Sequence, residues 1–135
     1  MDGKSIVNLT PHDIVVAPDG TDRPRHTFKP AGPPLRCVNA VPDVLSSVHL
    51  EGGVTAQVVS EPRYTGLDGG ELPTGDVAVL VSMEVARYLV STDGRAQYPQ
   101  APALILTPDS SPEGAVRDAR GQIVAVKRLC LWRRK

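Results

Sequence analysis

The sequence holds three histidines, His12, His26 and His49, the residue type suited to acid or base work, and the first of them lies in the chemically densest stretch. Residues 5–17 read S-I-V-N-L-T-P-H-D-I-V-V-A. Two β-type runs, 6–9 and 14–17, flank a polar knot of Asn8, Thr10, Pro11, His12 and Asp13. His12 is the candidate general acid or base. Asp13 points to the opposite face if the strand has already resumed, so no orienting carboxylate is supplied locally. The competing reading is structural: a strand that turns at a proline must have its corner polar groups bonded, and Asn8, Thr10 and the His12 ring can do that. Both readings stand at the level of sequence.

The other candidates bind rather than react. The segment 61–75, E-P-R-Y-T-G-L-D-G-G-E-L-P-T-G, reads as a long loop, either disordered or functional. It lacks the lysine and the strand-to-helix context of a phosphate loop. Its Arg63 and Tyr64 are well placed to close over an anionic or planar ligand, and Arg87 and Arg117 are further possible anion anchors. Asp109, Arg117 and Asp118 fall at strand ends, where binding groups gather and salt bridges and turn caps gather too. His26 and His49 have no spaced Cys, Asp or His partners, and neither Cys37 nor Cys130 belongs to a C-x-x-C pair, so neither a zinc motif nor a structural metal is expected. No nucleophile elbow, P-loop or dinucleotide fingerprint is present, and no cofactor is expected. The two cysteines sit inside apolar runs and read as reduced core thiols.

These residues must be positioned by one domain, since 135 residues support a single core. Lys plus Arg and Asp plus Glu number 15 each, so the overall charge makes no argument for a polyanionic partner. Five aromatic residues are too few for base stacking along a nucleic acid strand. Lys127, Arg128, Arg133, Arg134 and Lys135 crowd the C-terminus; 133–135 reads as a solvated basic tail, with phosphate contact as the alternative. No apolar run approaches the roughly 20 residues that a membrane span requires, and no charged-then-apolar leader opens the chain, so no membrane partner and a cytoplasmic location are expected.

Twelve glycines and thirteen prolines imply many turns and few long helices. Strands are expected at 26–29, 35–41, 54–60, 76–82 and 103–107, with loop running into strand across 42–53. A hairpin loop is expected at 18–25, a rigid turn at 30–34 and a second flexible stretch at 92–101. Residues 115–117 and 123–132 read as one hairpin across D-A-R-G-Q. The run 76–82, D-V-A-V-L-V-S, is nearly continuous in apolar residues, as a strand buried on both faces would be. Ser82 then caps the only substantial helix expected, 83–91.

V-N-L-T-P-H-D-I near the start, V-L-V-S before a short helix containing Arg87, then L-T-P-D and A-V-R-D-x-x-G-Q-I-V-A-V near the end resemble a family of small, largely uncharacterised proteins of bacteria and bacteriophages. That family is marked by N-L-T-P-H and V-R-D-x-x-G-x-I. The resemblance picks out Asn8, Thr10, His12, Ser82, Arg87, Asp109, Arg117 and Asp118; its N-L-T-P-H is specific as a family marker and carries almost nothing as a statement of function.

The expected architecture is α+β: a mainly antiparallel curled sheet or partial barrel with one substantial helix. If the first strand lies beside 76–82, Asn8, His12, Ser82 and Arg87 meet in one cluster. The first functional expectation is a binding or accessory protein that captures a nucleotide-like or other anionic small molecule, or a host protein. The second is a metal-independent phosphodiesterase or related hydrolase using His12, with Arg87 or Arg117 on the phosphate. The third is a structural or assembly protein, for which homo-oligomerisation would be the first sign.

Overall fold

The computed structural model describes residues 5–20 and 25–134. Its organising element is β8 (Val77–Leu80), followed by the capped helix α1 (Met83–Val90). Residues 78–81 are completely buried, because each of their two faces meets a different layer. β8 lies between β1 (Ser5–Asn8) and β9 (Leu104–Pro108), parallel to both, and β12 (Leu129–Arg133) closes the sheet antiparallel to β9. Side chains alternate along a strand, so Val79 and Val81 pack with Leu9 and Ile105 against Val85, Ala86 and Leu89 of α1. Ala78, Leu80 and Leu106 face the other way, onto Ile14 and Phe28.

Ile14 and Phe28 belong to a second sheet, in the order β10 (Ala115–Arg117), β11 (Ile123–Val126), β2 (Ile14–Val16), β3 (His26–Phe28). β2 and β3 pair antiparallel; part of the expected 18–25 loop between them lies outside the described residues. On the helix side, β4 (Arg36–Asn39) pairs with β7 (Tyr64–Asp68), and their Cys37 and Leu67 pack against the α1 core. The remaining pair, β5 (Val44–His49) and β6 (Thr55–Val59), forms a hairpin of its own. The fold is therefore α+β and rich in β-structure. Its sheets stay open rather than closing into a barrel. Antiparallel pairings predominate among the described residues, yet β1, β8 and β9 run parallel to one another.

Four expectations need correction. The segment 61–75 is not a loop throughout: Tyr64–Asp68 is a strand, held by the ladder to β4. The stretch 92–101 opens with a helix, α2 (Thr92–Gln97), whose start is set by Ser91: its hydroxyl accepts from the Gly94 amide at 3.1 Å, and Asp93 suits the positive end of the helix dipole. The run 123–132 is two strands in two sheets, broken where the Lys127 amide bonds the Gly114 carbonyl at 2.6 Å and the Asp109 amide bonds the Arg128 carbonyl at 3.1 Å. Cys130 is exposed, while Cys37 is partly buried; both thiols are free.

The basic C-terminus is likewise built in. Arg133 ends β12, and the Arg134 guanidinium donates to the carbonyls of Leu89 at 3.1 Å, Ala101 at 3.3 Å and Gly94 at 3.4 Å. A cation thus satisfies carbonyls at the ends of α1 and α2, where the helix dipoles favour it. Lys135 lies outside the described residues.

The two helices turn tightly about Gly94, which is buried. A Cβ there would collide with the Tyr88 carbonyl. Gly94→Ala is therefore expected to destabilise the fold by about 1–3 kcal/mol despite alanine's higher helix propensity, a loss measurable as a lower urea midpoint.

Candidate functional site

The polar knot at the end of β1 closes on itself. Asn8 is buried; its amide donates to the carbonyls of His12 at 2.9 Å and Phe28 at 2.7 Å, while its Oδ1 accepts from the Thr10 backbone amide at 2.9 Å. The Thr10 hydroxyl lies 2.7 Å from the same Oδ1 and 3.0 Å from the His12 carbonyl. Every polar atom of the Asn8 side chain is consumed in holding the corner, as burial demands. His12 contributes its carbonyl to this network, and its exposed side chain lines a cavity of about 270 Å³ with Asp13 and Ser110.

The other strand-end candidates are spread over the molecule. Ser82 caps α1, its hydroxyl accepting from the Val85 amide at 3.3 Å. Arg117 donates to the Gly121 carbonyl at 2.6 Å within the β10–β11 turn, and Asp118 accepts there from the amides of Arg120 at 2.9 Å and Gln122 at 3.0 Å. Asp109 ends β9 and ties the strand to the crossover between sheets: its Oδ2 accepts from Arg128 Nε and its Oδ1 from the Ser111 amide.

β1 does lie beside β8, yet Asn8, His12, Ser82 and Arg87 do not form one cluster. The reason is the alternation along β8: α1, which carries Arg87, covers the face of Val79 and Val81, whereas the Asn8 side chain and the His12 corner lie against Phe28 on the face of Ala78 and Leu80. His12 and Arg87 line separate cavities.

What the fold does assemble is Arg63, Tyr64 and Arg87. β7 and the residues before it present Arg63, Tyr64 and Thr65 to one wall of a cleft of about 460 Å³; α1 and its C-cap present Arg87, Tyr88 and Ser91 to the other, and Asp93 of α2 stands at the end. The Tyr64 and Tyr88 rings meet edge to face, with centroids 6.3 Å apart. Arg63 makes an exposed ion pair with Asp43 at 3.4 Å, which solvent weakens and a ligand can displace. No hydrogen bond or ion pair among the described residues engages the Arg87 guanidinium.

Burial raises the Tyr64 phenol above its ordinary range, with Glu84 adding to the effect and Arg87 opposing it. Burial likewise raises Tyr88, reinforced by Tyr98 and Asp93. The neighbouring Cys37 thiol is pushed up to about 11, first by burial and then by Glu84. Near neutral pH the cleft therefore offers two cations and two protonated phenols as donors. Thr65, Tyr88, Ser91 and Asp93 are polar members that sequence reasoning missed. Arg87 and Ser91 stand four residues apart, the spacing of neighbours on one helix face, which was the available signal.

A more apolar cavity of about 380 Å³ lies nearby, between Leu35, Leu67, Leu72, Tyr98 and Ala101. The Tyr98 hydroxyl, which borders it, accepts from the Leu67 amide at 2.9 Å. Among the described residues no three metal-ligating side chains converge, and no helix is long and apolar enough to cross a membrane.

Two outcomes separate structural from chemical roles. Asn8→Ala strands the Thr10 amide and the His12 and Phe28 carbonyls, and is expected to cost about 2–4 kcal/mol, whereas His12→Ala leaves the melting temperature nearly unchanged. Asp109 supplies the second. Its hydrogen bonds, the one from Arg128 foremost, lower its pKa from 3.8 to about 2. A depressed carboxyl stabilises the fold above its unfolded pKa and loses that contribution as pH falls through the folded value. Thermal melts between about pH 4 and pH 2 should therefore fall less steeply for Asp109→Asn than for the unmodified chain.

No protein-family model matches this chain, and neither a curated protein nor a solved structure does.

Proposed function

We propose that this protein is a binding module that captures a nucleotide-like, anionic small molecule in the cleft between β7 and α1. The observation that carries the reading is the convergence of Arg63 and Arg87 from opposite walls onto one space that also holds Tyr64 and Tyr88. Guanidinium groups bind phosphate through charge-assisted and often bidentate hydrogen bonds, and the phenol rings provide an apolar surface and donors for a planar group. Asp93, Ser91 and Thr65 line the same cleft and can bond the hydroxyls of a sugar-like portion. The cleft has the size of small-molecule sites. His12 lies outside it, so capture needs no acid or base from that residue.

Calorimetric titration with ATP, AMP and inorganic pyrophosphate tests the reading. Binding that weakens with added salt is expected, and Arg87→Ala should reduce affinity about ten- to a hundredfold, the loss of one charge-assisted contact, without changing the melting temperature. Absence of heat with all three ligands would remove the proposal.

A further inference from the structure

The β5–β6 hairpin is an arm without a partner. Of residues 44–60, all but Ala56 and Ser60 are exposed, and among the described residues neither strand pairs with any strand besides the other. A two-stranded hairpin is marginally stable at best in water, and stable β-units need a third strand or a packed apolar face. This one carries Val44, Leu45, Val48, Leu50, Val54 and Val59 at 42% to 65% exposure. Glu51 is the only acidic or basic (Asp, Glu, Lys, Arg) side chain in residues 44–60, so charge, a main device that blunts an edge, is missing from both strands.

From this geometry we infer that the arm is a homodimerisation element, in which β6 pairs antiparallel with β6 of a second copy across a two-fold axis at Gln57. β6 is the regular edge, since the register shift in the hairpin falls between Val44 and Ser46, on β5. The Leu50 amide bonds the Val54 carbonyl at 2.7 Å. In an antiparallel ladder hydrogen-bonded pairs alternate with non-bonded ones, and Thr55 and Gln57, opposite His49 and Ser47, fall in the non-bonded set. Their amides and carbonyls face away from β5, toward the open edge. With Gln57 opposite its own counterpart, Thr55 meets Val59 and Ala56 meets Val58 of the second copy. The register is self-complementary, as a two-fold interface requires, and sets no like charges against each other.

The result is a four-stranded sheet that pairs the open β6 edge of each copy and sets the apolar side chains of two arms side by side. Total surface agrees with a missing partner. The chain exposes 8959 Å², whereas a folded monomer of 14.4 kDa is expected to expose about 6,800 Å². The excess, about 2,100 Å², exceeds the roughly 800 Å² that each partner of a standard-size interface buries.

The test is sedimentation velocity with light scattering on the full chain from about 1 to 100 μM, a range that spans micromolar dissociation constants. Twice the 14.4 kDa chain mass is expected for the unmodified protein. Gln57→Pro deletes an amide that points away from β5, leaving the internal ladder intact, and should shift the sample to monomer with an unchanged far-ultraviolet circular dichroism spectrum. If that variant fails to fold, Gln57→Lys decides. It sets two ammonium groups opposite one another and should weaken dimerisation at least tenfold at low salt, with recovery as salt is added. A monomer at every concentration, or a dimer that Gln57→Lys leaves unmoved, overturns the inference, and neither result touches the cleft proposal.

Discussion

Burial of β8 on both faces is the constraint from which the rest of the structure follows. A strand whose residues 78–81 are fully enclosed must have its backbone paired on both edges, because an unpaired amide there would have no water to turn to. β1 and β9 supply those edges in parallel register. Both faces must also be covered, and the chain covers them with unlike layers: α1 on one side, the β10-β11-β2-β3 sheet on the other. Parallel neighbours need long crossovers: the one from β1 to β8 carries β2 to β7, and the one from β8 to β9 carries the two helices.

The polar residues that looked most chemical mostly serve the joints this arrangement creates. Asn8 and Thr10 close the corner where the chain leaves β1. Ser82 and Ser91 start the two helices. Asp109 and Arg128 lock the point where the chain crosses from one sheet to the other, and Arg134 donates to carbonyls of both helices. A layered fold of short elements has many termini, each with backbone groups to satisfy. Side chains with oxygen acceptors or guanidinium donors gather there for that reason.

The cleft differs in kind. Arg87 satisfies no backbone carbonyl among the described residues, and Arg63 is held by one exposed carboxylate. Burial raises the pKa of its two phenols further above their ordinary range. Donor groups left over after the joints are satisfied, concentrated between two walls, are what recognition of an anion requires. The β5–β6 arm, at whose base Asp43 meets Arg63, is the other feature that the chain's own packing leaves unfinished.

The sequence by itself determined β8, α1 and the Ser82 cap, because a continuous apolar run and an N-cap residue act through local physics that no distant contact overrides. It also showed Arg63, Tyr64 and Arg87 as residues suited to an anion. It did not show that they share a cleft, since that depends on which face of β8 the helix covers. The same alternation parted His12 from Arg87, although β1 and β8 are neighbours as expected. Tyr64–Asp68 is a strand despite its glycine, because the ladder to β4 outweighs local propensity. The run 123–132 looked like one strand because its residues are uniformly β-forming. Only the pull of Gly114 and Asp109, distant partners in the fold, divided it between two sheets.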